Sequence, residues 1–458
     1  MKRIVYILVL VHAFALQMWG QSVSDIRSSL DALLSEADRA QYNTGLVVYD
    51  LTADSMVCNY NGNKLMRPAS NQKLFTAISA LSLLGPNHEY RTVMCHTGSV
   101  VDSVLRGDVY VIGDFDPMLA YSDLKDMSRR IQSLGIKRIE GKIYADVSMK
   151  DTLAMGSGWC WDDVPDDTFP YLSPLSFNRG CATVEVRGGK GRFVVPTSYM
   201  EIVNKGGSGS LVIDRDWQVN SNTFVVSGNG TGSATLNVYH PDLYFVCTLT
   251  DLLREEGVTF ASARPYGIAE CPSRDTVQLM TLTHTIGQVL QRMMKKSDNL
   301  YAETMFYQLA NEKARKGATR KEAAEQMTSV LIKAGGNADQ IEIADGSGVS
   351  LYDYITPEAQ VLLLKYAYAN RTMYDWLYPS LPIAGVDGTL KSRMTSGTAY
   401  RNVHAKTGTV RGTSCLSGYL TAANGHVLAF SIMNNGLHKS AVGRDFQDRV
   451  CQALSKAP

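Results

Sequence analysis

The sequence has no excess of charge of either sign. Its 458 residues include 45 Lys and Arg against 44 Asp and Glu, so the formal net charge is +1 at neutral pH. Proteins that bind nucleic acid or anionic membrane surfaces usually carry a clear basic excess. We therefore expect neither of these partners. The 45% hydrophobic and 19% charged residues are typical of a soluble globular protein.

The sequence also lacks the patterns that bind metal ions. It contains no C-x-x-C pair and no cluster of Cys and His at zinc spacing, so we predict neither a metal site nor a cofactor. Eight cysteines allow on the order of a hundred disulfide pairings, and the sequence does not choose among them. Cys247 and Cys415 lie in apolar, strand-like stretches, where a buried free thiol is equally plausible.

Apart from the N-terminus, the sequence has no apolar run long enough to cross a membrane. At the N-terminus, Lys2 and Arg3 precede a short apolar run that ends at Leu16, and small residues follow near Gly20. This pattern predicts a cleaved signal peptide over residues 1–20, export, and a periplasmic location without an integral span. A buried N-terminal helix or an uncleaved anchor is the alternative. No cysteine lies near the cleavage region, so we do not expect a lipid anchor.

The length of the chain suits two or three domains. Residues 45–61 read as two strands joined by a polar turn, and the apolar stretch 67–85 reads as a buried helix that stops at Gly85-Pro86. From about 92 to 275, short β-rich stretches alternate with glycine-rich turns, interrupted by one amphipathic helix over roughly 117–134.

Helical periodicity returns after about residue 280, with further helices over 320–335 and 357–370. Three strands and a final helix over 439–455 end the chain, and the turn Ala423-Asn424-Gly425 favours a hairpin between the last two strands. The simplest architecture is one α/β domain built from both ends of the chain, with a β-rich module inserted in the middle.

The helix over 67–85 carries a serine and a lysine three residues apart. Ser70 and Lys73 would lie on one helical face, and Pro68 suits a helix start. A serine hydroxyl needs a base, and a lysine serves as one when burial keeps it neutral. The alternative is a capping serine beside a lysine that extends to solvent. A second S-x-x-K, Ser122 to Lys125, falls on the polar face of the amphipathic helix and reads as a surface pair.

Two further motifs follow in the C-terminal half. Ser297-Asp298-Asn299 stands at the start of a predicted amphipathic helix, where it would otherwise serve as a helix cap. Lys406-Thr407-Gly408 lies in a predicted strand, which without a ligand would be a decorated edge strand. Gly408 would let a ligand lie against the strand backbone. The order S-x-x-K, S-D-N, K-T-G is that of penicillin-binding proteins and class A β-lactamases.

The interval between Ser70 and Ser297 is far longer than a compact β-lactamase needs. Here the chain resembles the class C low-molecular-mass penicillin-binding proteins, the D-alanyl-D-alanine carboxypeptidase/endopeptidase family of the DacB type. The resemblance covers nearly all of the mature chain. One departure is Asp114-Phe115, where such proteins tend to have small residues. The stretches that carry the resemblance are RPASNQKL, GDVYVIGDFDP, GWCWDD, KKSDNLYAE, DGSGVS, LPIAGVDGTL and AKTGT.

The resemblance implies an α/β (α+β) penicillin-binding, β-lactamase-like transpeptidase domain, with an antiparallel sheet flanked by helices and a β-rich insertion of two subdomains. We place the catalytic domain at 21–91 and 276–458, the insertion at 92–275, and a nested smaller domain around 187–238.

The resemblance also implies roles for the residues of the three motifs. Ser70 would be the acylated nucleophile and Lys73 its base. Ser297 would relay a proton to the leaving amine, Lys406 would tune that relay, and Asn299 would hold the substrate amide.

The remaining implied roles concern substrate binding. Lys406 and Thr407 would bind the terminal carboxylate, and the backbone N–H groups of Ser70 and Thr409 would form the oxyanion hole. Asp146 matches an insertion aspartate that reaches the amine of a diamino acid in the stem peptide; the alternative is an exposed loop aspartate.

The function implied is hydrolysis of D-alanyl-D-alanine-type bonds in peptidoglycan peptides, as a carboxypeptidase, an endopeptidase or both, through an acyl-enzyme on Ser70. Such an enzyme would bind β-lactam inhibitors. One alternative is a β-lactamase, although no E-x-x-x-N-type segment follows Asn299 at a suitable place. Another is a non-catalytic cell-wall-binding protein.

Overall fold

The computed structural model describes residues 28–314 and 316–456. The predicted signal peptide, 1–20, lies outside the described residues. None of the helices in the described part has the length and apolarity that a membrane span requires. The chain forms two compact units. Within the described residues, unit 1 comprises the chain up to Ser82, Gln291–Ser297 and everything from Met327 onward, and unit 2 comprises Leu83–Leu290 and Asp298–Gln326.

The helices are distributed along the whole described chain. They are α1 (described over 28–38), α2 (Gln72–Leu83), α3 (Tyr121–Ser133), α4 (Pro241–Glu255), α5 (Ile286–Lys296), α6 (Asn299–Ala314), α7 (Arg320–Lys333), α8 (Pro357–Ala369), α9 (Arg371–Ser380) and α10 (Ser440–Ser455).

Most strands lie between α2 and α5. In chain order the strands are β1 (Asn43–Asp50), β2 (Ser55–Tyr60), β3 (Glu89–Thr97), β4 (Ser99–Val101), β5 (Val104–Arg106), β6 (Val109–Ile112), β7 (Arg138–Ile139), β8 (Ile143–Asp146), β9 (Cys181–Arg187), β10 (Lys190–Phe193), β11 (Glu201–Ser210), β12 (Val212–Arg215), β13 (Thr223–Asn229), β14 (Gly232–Asn237), β15 (Thr259–Phe260), β16 (Tyr266–Ile268), β17 (Thr276–Thr285), β18 (Ile341–Glu342), β19 (Tyr354–Ile355), β20 (His404–Val410), β21 (Thr413–Thr421) and β22 (Val427–Asn435).

Unit 1 is built on a five-stranded antiparallel sheet in the order β2-β1-β22-β21-β20. Alternate side chains of this sheet pack on opposite faces. Leu416 and Phe430 share one core with Phe446 of α10, and on β21 the Tyr419 hydroxyl donates to the Leu364 carbonyl of α8 at 2.8 Å. The predicted antiparallel sheet flanked by helices is therefore confirmed. The predicted hairpin, between β21 and β22, and the predicted final helix, α10, are also confirmed.

The described residues of unit 2 form four sheets. A five-stranded sheet has the order β16-β8-β6-β3-β17, and a four-stranded one the order β15-β7-β5-β4. Two three-stranded sheets, β10-β9-β14 and β11-β13-β12, are formed within 181–237. Apolar residues of α3 and α4 pack against these sheets in one core. The predicted domain boundaries at 91/92 and 275/276 remain predictions.

Three sequence predictions about helices were wrong. The middle of the chain contains α4 as well as the predicted α3, and Cys247 lies in α4 rather than in a strand. Helix α9 was also missed. Residues 300–311 of α6 are buried on every side, so this part of the helix has no exposed polar face, contrary to the predicted amphipathic helix. In α4, burial on nearly all sides removes the alternation of apolar and polar faces that identifies a helix in a sequence.

All eight cysteines lie among the described residues, and none forms a disulfide bond. The Sγ atoms of Cys95 and Cys271 are 3.4 Å apart. Burial raises the pKa of the Cys95 thiol to about 12.

Truncating the core of unit 2 should reduce its stability. The Phe177 ring is fully buried, with its centroid 4.5 Å from that of Tyr244 and 5.8 Å from that of Phe245. We expect Phe177→Ala to lower the free energy of unfolding by about 3–5 kcal/mol, because it leaves a cavity. Urea unfolding followed by tryptophan fluorescence measures the change. The exposed Leu153→Ala should change it by no more than about 0.5 kcal/mol, and equal losses in both variants would contradict the expectation.

Candidate active site

The first serine and lysine lie at the start of the buried helix of unit 1. Ser70 lies in a 3-10 turn, Ala69–Asn71, and Lys73 lies in the first turn of α2. The Lys73 Nζ donates to the Ser70 Oγ at 2.9 Å, and the lysine is fully buried. Ala69 has a φ of +46°, a left-handed conformation that costs a residue with a Cβ about 1–2 kcal/mol. Such strain is typical of functional sites.

A loop of unit 1 holds the same lysine from another side. The Lys73 Nζ also donates to the Ser347 carbonyl at 2.8 Å. The loop is shaped by Asp345, whose carboxylate accepts the backbone N–H groups of Ser347, Gly348 and Ser350. A Cβ on Gly348 would lie 1.9 Å from the Ala69 carbonyl oxygen, so the loop touches the Ser70 turn where only glycine fits.

A second buried carboxylate supports this loop. Asp353 accepts the backbone N–H groups of Ala344 and Asp345. Burial and the neighbouring Asp345 carboxylate raise the pKa of Asp353 well above its usual range. Sequence reasoning used DGSGVS only as a family signature and assigned no role to Asp345 or Asp353. The signal was present, because an acidic residue before Gly-Ser-Gly favours a tight loop held by side-chain oxygens.

The second serine and lysine form another pair within unit 1. The Lys406 Nζ donates to the Ser297 Oγ and to the Thr407 carbonyl, both at 2.8 Å. Burial, together with the positive charge of Lys73, lowers the pKa of the Lys406 amine well below its usual value. The two lysines are therefore close enough to influence one another's charge, and unit 1 brings together Ser70, Lys73, Ser297 and Lys406.

The K-T-G strand, β20, is the edge strand of the unit 1 sheet. A Cβ on Gly408 would lie 2.5 Å from the Pro68 carbonyl oxygen, so this glycine lets the Ser70 turn approach the strand. The adjacent Asn71 Nδ2 donates to Ser417 Oγ of β21 at 2.6 Å, which fixes the turn to the sheet. Thr407 Oγ1 donates to Thr389 Oγ1 at 2.7 Å, and Thr409 is exposed on β20.

Asn299 is the first residue of α6 and belongs to unit 2. Its Nδ2 donates to the Thr168 carbonyl at 2.7 Å. The preceding Asp298 pairs with the Nε of Arg179 at 2.9 Å, and the same guanidinium pairs with Asp167 at 2.8 Å. The segment around 167–168 is thus fixed to the residues that follow Ser297.

Asp146 also belongs to unit 2, where it is the last residue of β8. It is buried, and its two oxygens accept the backbone N–H groups of Ser148 at 2.9 Å and Cys271 at 2.8 Å. The alternative interpretation as an exposed loop aspartate is therefore wrong. By contrast, Ser122 and Lys125 are both exposed on α3, as a surface pair should be.

A sheet flanked by helices, with a serine–lysine pair at a helix start and a second serine–lysine pair beside it, defines the class of penicillin-binding serine acyltransferases. Within that class the chain belongs to the D-Ala-D-Ala carboxypeptidase 3 (S13) family, whose profile matches residues 26–457. The predicted family, fold class and enzyme type, a serine-type D-Ala-D-Ala carboxypeptidase/endopeptidase, are confirmed.

Similar proteins match over most of their length. The D-alanyl-D-alanine carboxypeptidase of Actinomadura sp. (strain R39) is 29% identical, covering 95% of this chain and 86% of its own. The D-alanyl-D-alanine carboxypeptidase DacB of Haemophilus influenzae is 27% identical, covering 86% and 85%. The crystal structure of penicillin binding protein 4 (dacB) from Haemophilus influenzae has a TM-score of 0.79 and 25% identity, covering 94% of this chain and 98% of that one.

Adding a methyl group at Gly408 should disrupt the serine turn. In Gly408→Ala the new Cβ would meet the Pro68 carbonyl oxygen at 2.5 Å and the Asn71 nitrogen at 3.0 Å, so the turn must move. We expect the rate of acylation by a fluorescent penicillin to fall about tenfold or more, because small misplacements of a nucleophile are costly. Gly209→Ala is the control, since its added Cβ meets open space. An unchanged rate in Gly408→Ala would show that the close approach is not required.

Proposed function

We propose that the protein hydrolyses D-alanyl-D-alanine-type bonds of peptidoglycan stem peptides through an acyl-enzyme on Ser70. The observation that carries this proposal is the 2.9 Å hydrogen bond between Lys73 Nζ and Ser70 Oγ at a buried helix start. Membership of the D-Ala-D-Ala carboxypeptidase 3 (S13) family indicates that the bond cleaved is of the D-alanyl-D-alanine type. The substrate is a peptidoglycan peptide, and β-lactams bind at the same serine as inhibitors.

The lysine pair shares one proton, and the proposed acylation step starts from the form in which Lys406 carries it. Neutral Lys73 then accepts the Ser70 proton while Oγ attacks the carbonyl carbon of the penultimate D-alanine. The new C–O bond forms as the C–N bond to the terminal residue breaks. The hydroxyl of Ser297, bonded to the Lys406 amine, donates its proton to the leaving amine and is reprotonated from the lysine pair, so that the proton taken from Ser70 is the one replaced on the leaving group. Water then hydrolyses the ester and restores Ser70.

The remaining groups position the substrate and stabilise its charge. The backbone N–H groups of Ser70 and Thr409 form the oxyanion hole, and the positive end of the helix start favours the same negative charge. Lys406 and Thr407 bind the terminal carboxylate. Asn299 holds a substrate amide through its side chain.

Asp146 is proposed to bind the amine of a diamino acid in the stem peptide. Its carboxylate is held by two backbone N–H groups, which fix its direction. A fixed, buried carboxylate is well suited to a cationic partner, because little ordering is required when the partner binds.

We further propose the domain organisation given by the sequence: a catalytic domain at 21–91 and 276–458, an insertion at 92–275, and a nested domain around 187–238. Strands β9 to β14 support the nested domain, since their two three-stranded sheets involve only residues 181–237. The signal-like N-terminus supports export to the periplasm.

Labelling by a fluorescent penicillin tests the nucleophile. We expect Ser70→Ala to abolish labelling, because the variant has no hydroxyl at the position that is acylated. Ser122→Ala, in the exposed S-x-x-K copy, should label like the wild type. Mass spectrometry of muropeptides treated with the pure enzyme should show loss of terminal D-alanine or opening of cross-links.

Three results would contradict this assignment. Persistent labelling of Ser70→Ala would remove Ser70 from its role. Rapid turnover of nitrocefin without a trapped adduct would indicate a β-lactamase. Undiminished cell-wall function in cells carrying only Ser70→Ala would indicate a non-catalytic protein.

The pH dependence of acylation tests the coupling of the two lysines. As the pH falls, a second proton binds to the pair, Lys73 becomes charged and acylation should slow. In Lys406→Gln the pair is reduced to one amine, so the repulsion that disfavours a second proton in the pair is lost. We expect slower acylation at neutral pH and a shift of the rate profile to more alkaline pH. The exposed Lys125→Gln should leave the profile unchanged, and an unshifted profile in Lys406→Gln would contradict the coupling.

A further inference from the structure

We propose that a pocket in unit 2 binds the sugar rings of a peptidoglycan glycan strand whose stem peptide the enzyme cleaves. The inference rests on the proposed function for the identity of the polymer. We call this site the tryptophan pocket, and its aromatic wall consists of Trp159, Trp161, Tyr171 and Trp217.

The tryptophan pocket has the size and lining of a ligand site. Its volume is about 520 Å³, within the range of roughly 300–1,000 Å³ that is typical of small-ligand pockets. Trp161 is 70% exposed, and its ring centroid lies 5.3 Å from that of Trp217, with the ring planes tilted by 35°. Large aromatic rings exposed together mark interaction sites on protein surfaces.

The chemistry of the lining favours a neutral sugar. The C–H groups on one face of a pyranose ring pack well on the electron-rich face of an indole. The amide side chains of Gln218 and Asn220, at the rim, can donate to and accept from hydroxyl and acetamido groups at the ring edge. The residues that line the pocket are uncharged. Such a lining is unsuited to a phosphate or a strongly charged peptide. A proline-rich peptide has no N–H at its prolines, so it would leave the side-chain oxygens of Gln218 and Asn220 without donors.

The walls of the tryptophan pocket are fixed before any ligand arrives. The indole of Trp159 packs on Gly156, where an added Cβ would lie 2.3 Å from the ring, and meets Phe169 edge to face. The hydroxyl of Tyr171 accepts a hydrogen bond at 3.3 Å from the buried Arg215. A preformed wall reduces the entropy lost on binding, and Trp161 offers an exposed ring on which a sugar can stack.

The position of the pocket relates it to the substrate peptide. The segment that bears Trp159 and Trp161 continues to Thr168, whose carbonyl accepts the Asn299 side chain. Asp167, next to it, is tied to Asp298 through Arg179. Asn299 is proposed to hold a stem-peptide amide, and every stem peptide is covalently joined to a glycan strand. A peptide held there therefore brings its sugars to the same part of unit 2.

The direct test uses a peptide-free tetrasaccharide of alternating N-acetylglucosamine and N-acetylmuramic acid, with each lactyl carboxyl group converted to its amide so that the probe is neutral. Its binding is measured by isothermal titration calorimetry. We expect Trp161→Ala and Trp217→Ala to weaken binding about tenfold or more, as truncation of an aromatic anchor does. Trp376→Ala is the control, because this tryptophan is 39% exposed on α9 in unit 1. Because the Trp161 side chain is largely exposed, its truncation should not unfold the protein, so a loss of tetrasaccharide binding in Trp161→Ala would not be due to unfolding.

A kinetic measurement separates this site from the nucleophile. In Trp161→Ala, KM should rise for peptides attached to glycan, whereas the hydrolysis of sugar-free peptides and acylation by penicillin should not change. Absence of tetrasaccharide binding to the wild type, equal binding to Trp161→Ala, equal binding of cellotetraose, or binding of a polyproline peptide instead would each overturn the proposal. Failure of penicillin to label Ser70 would refute the proposed function, and the calorimetric result would still report on the pocket.

Discussion

The structure of unit 1 depends on keeping two lysine amines buried near one another. In water each amine would be protonated, but burial and mutual repulsion disfavour the doubly charged state. Lys73 is held by Ser70 and the Ser347 carbonyl, and Lys406 by Ser297 and the Thr407 carbonyl. Each amine is thereby fixed beside a hydroxyl. The fully buried α2, the edge strand and the loop shaped by Asp345 all contribute to this arrangement.

Much of the fold and the serine–lysine motifs could be predicted because they have local signatures. The spacing of Ser70 and Lys73 follows from helix geometry, and the last three strands have the apolar, turn-bounded pattern of hairpins. The order of the three motifs then identified the family. Helix α4 was missed because burial on nearly all sides leaves no polar face to reveal the helical period. Helix α6 was predicted as a helix, but its polar side chains Glu303, Gln308 and Asn311 are buried as well.

Other features arise only when distant segments meet. From the sequence we expected Gly408 to leave room for a ligand beside the strand. In the folded chain the Pro68 carbonyl packs against this glycine instead. The role of Asp345 depends on Ser347 reaching Lys73, a contact between residues far apart in the chain. Asp146 looked like a loop residue, yet its carboxylate is fixed by the backbone of Cys271, which follows another strand. Sequence patterns contain no direct record of such long-range contacts.

The pairing of β1 with β22 has a consequence for biosynthesis. Asn43 is opposite Asn435, so the sheet that supports the nucleophile joins the first strand of the chain to its last. A nascent polypeptide cannot complete that sheet until almost all of it has been synthesised, although much of unit 2 is already available to fold. Catalytic competence is therefore delayed until the polypeptide is nearly complete, and a prematurely terminated chain would be inert rather than an uncontrolled hydrolase.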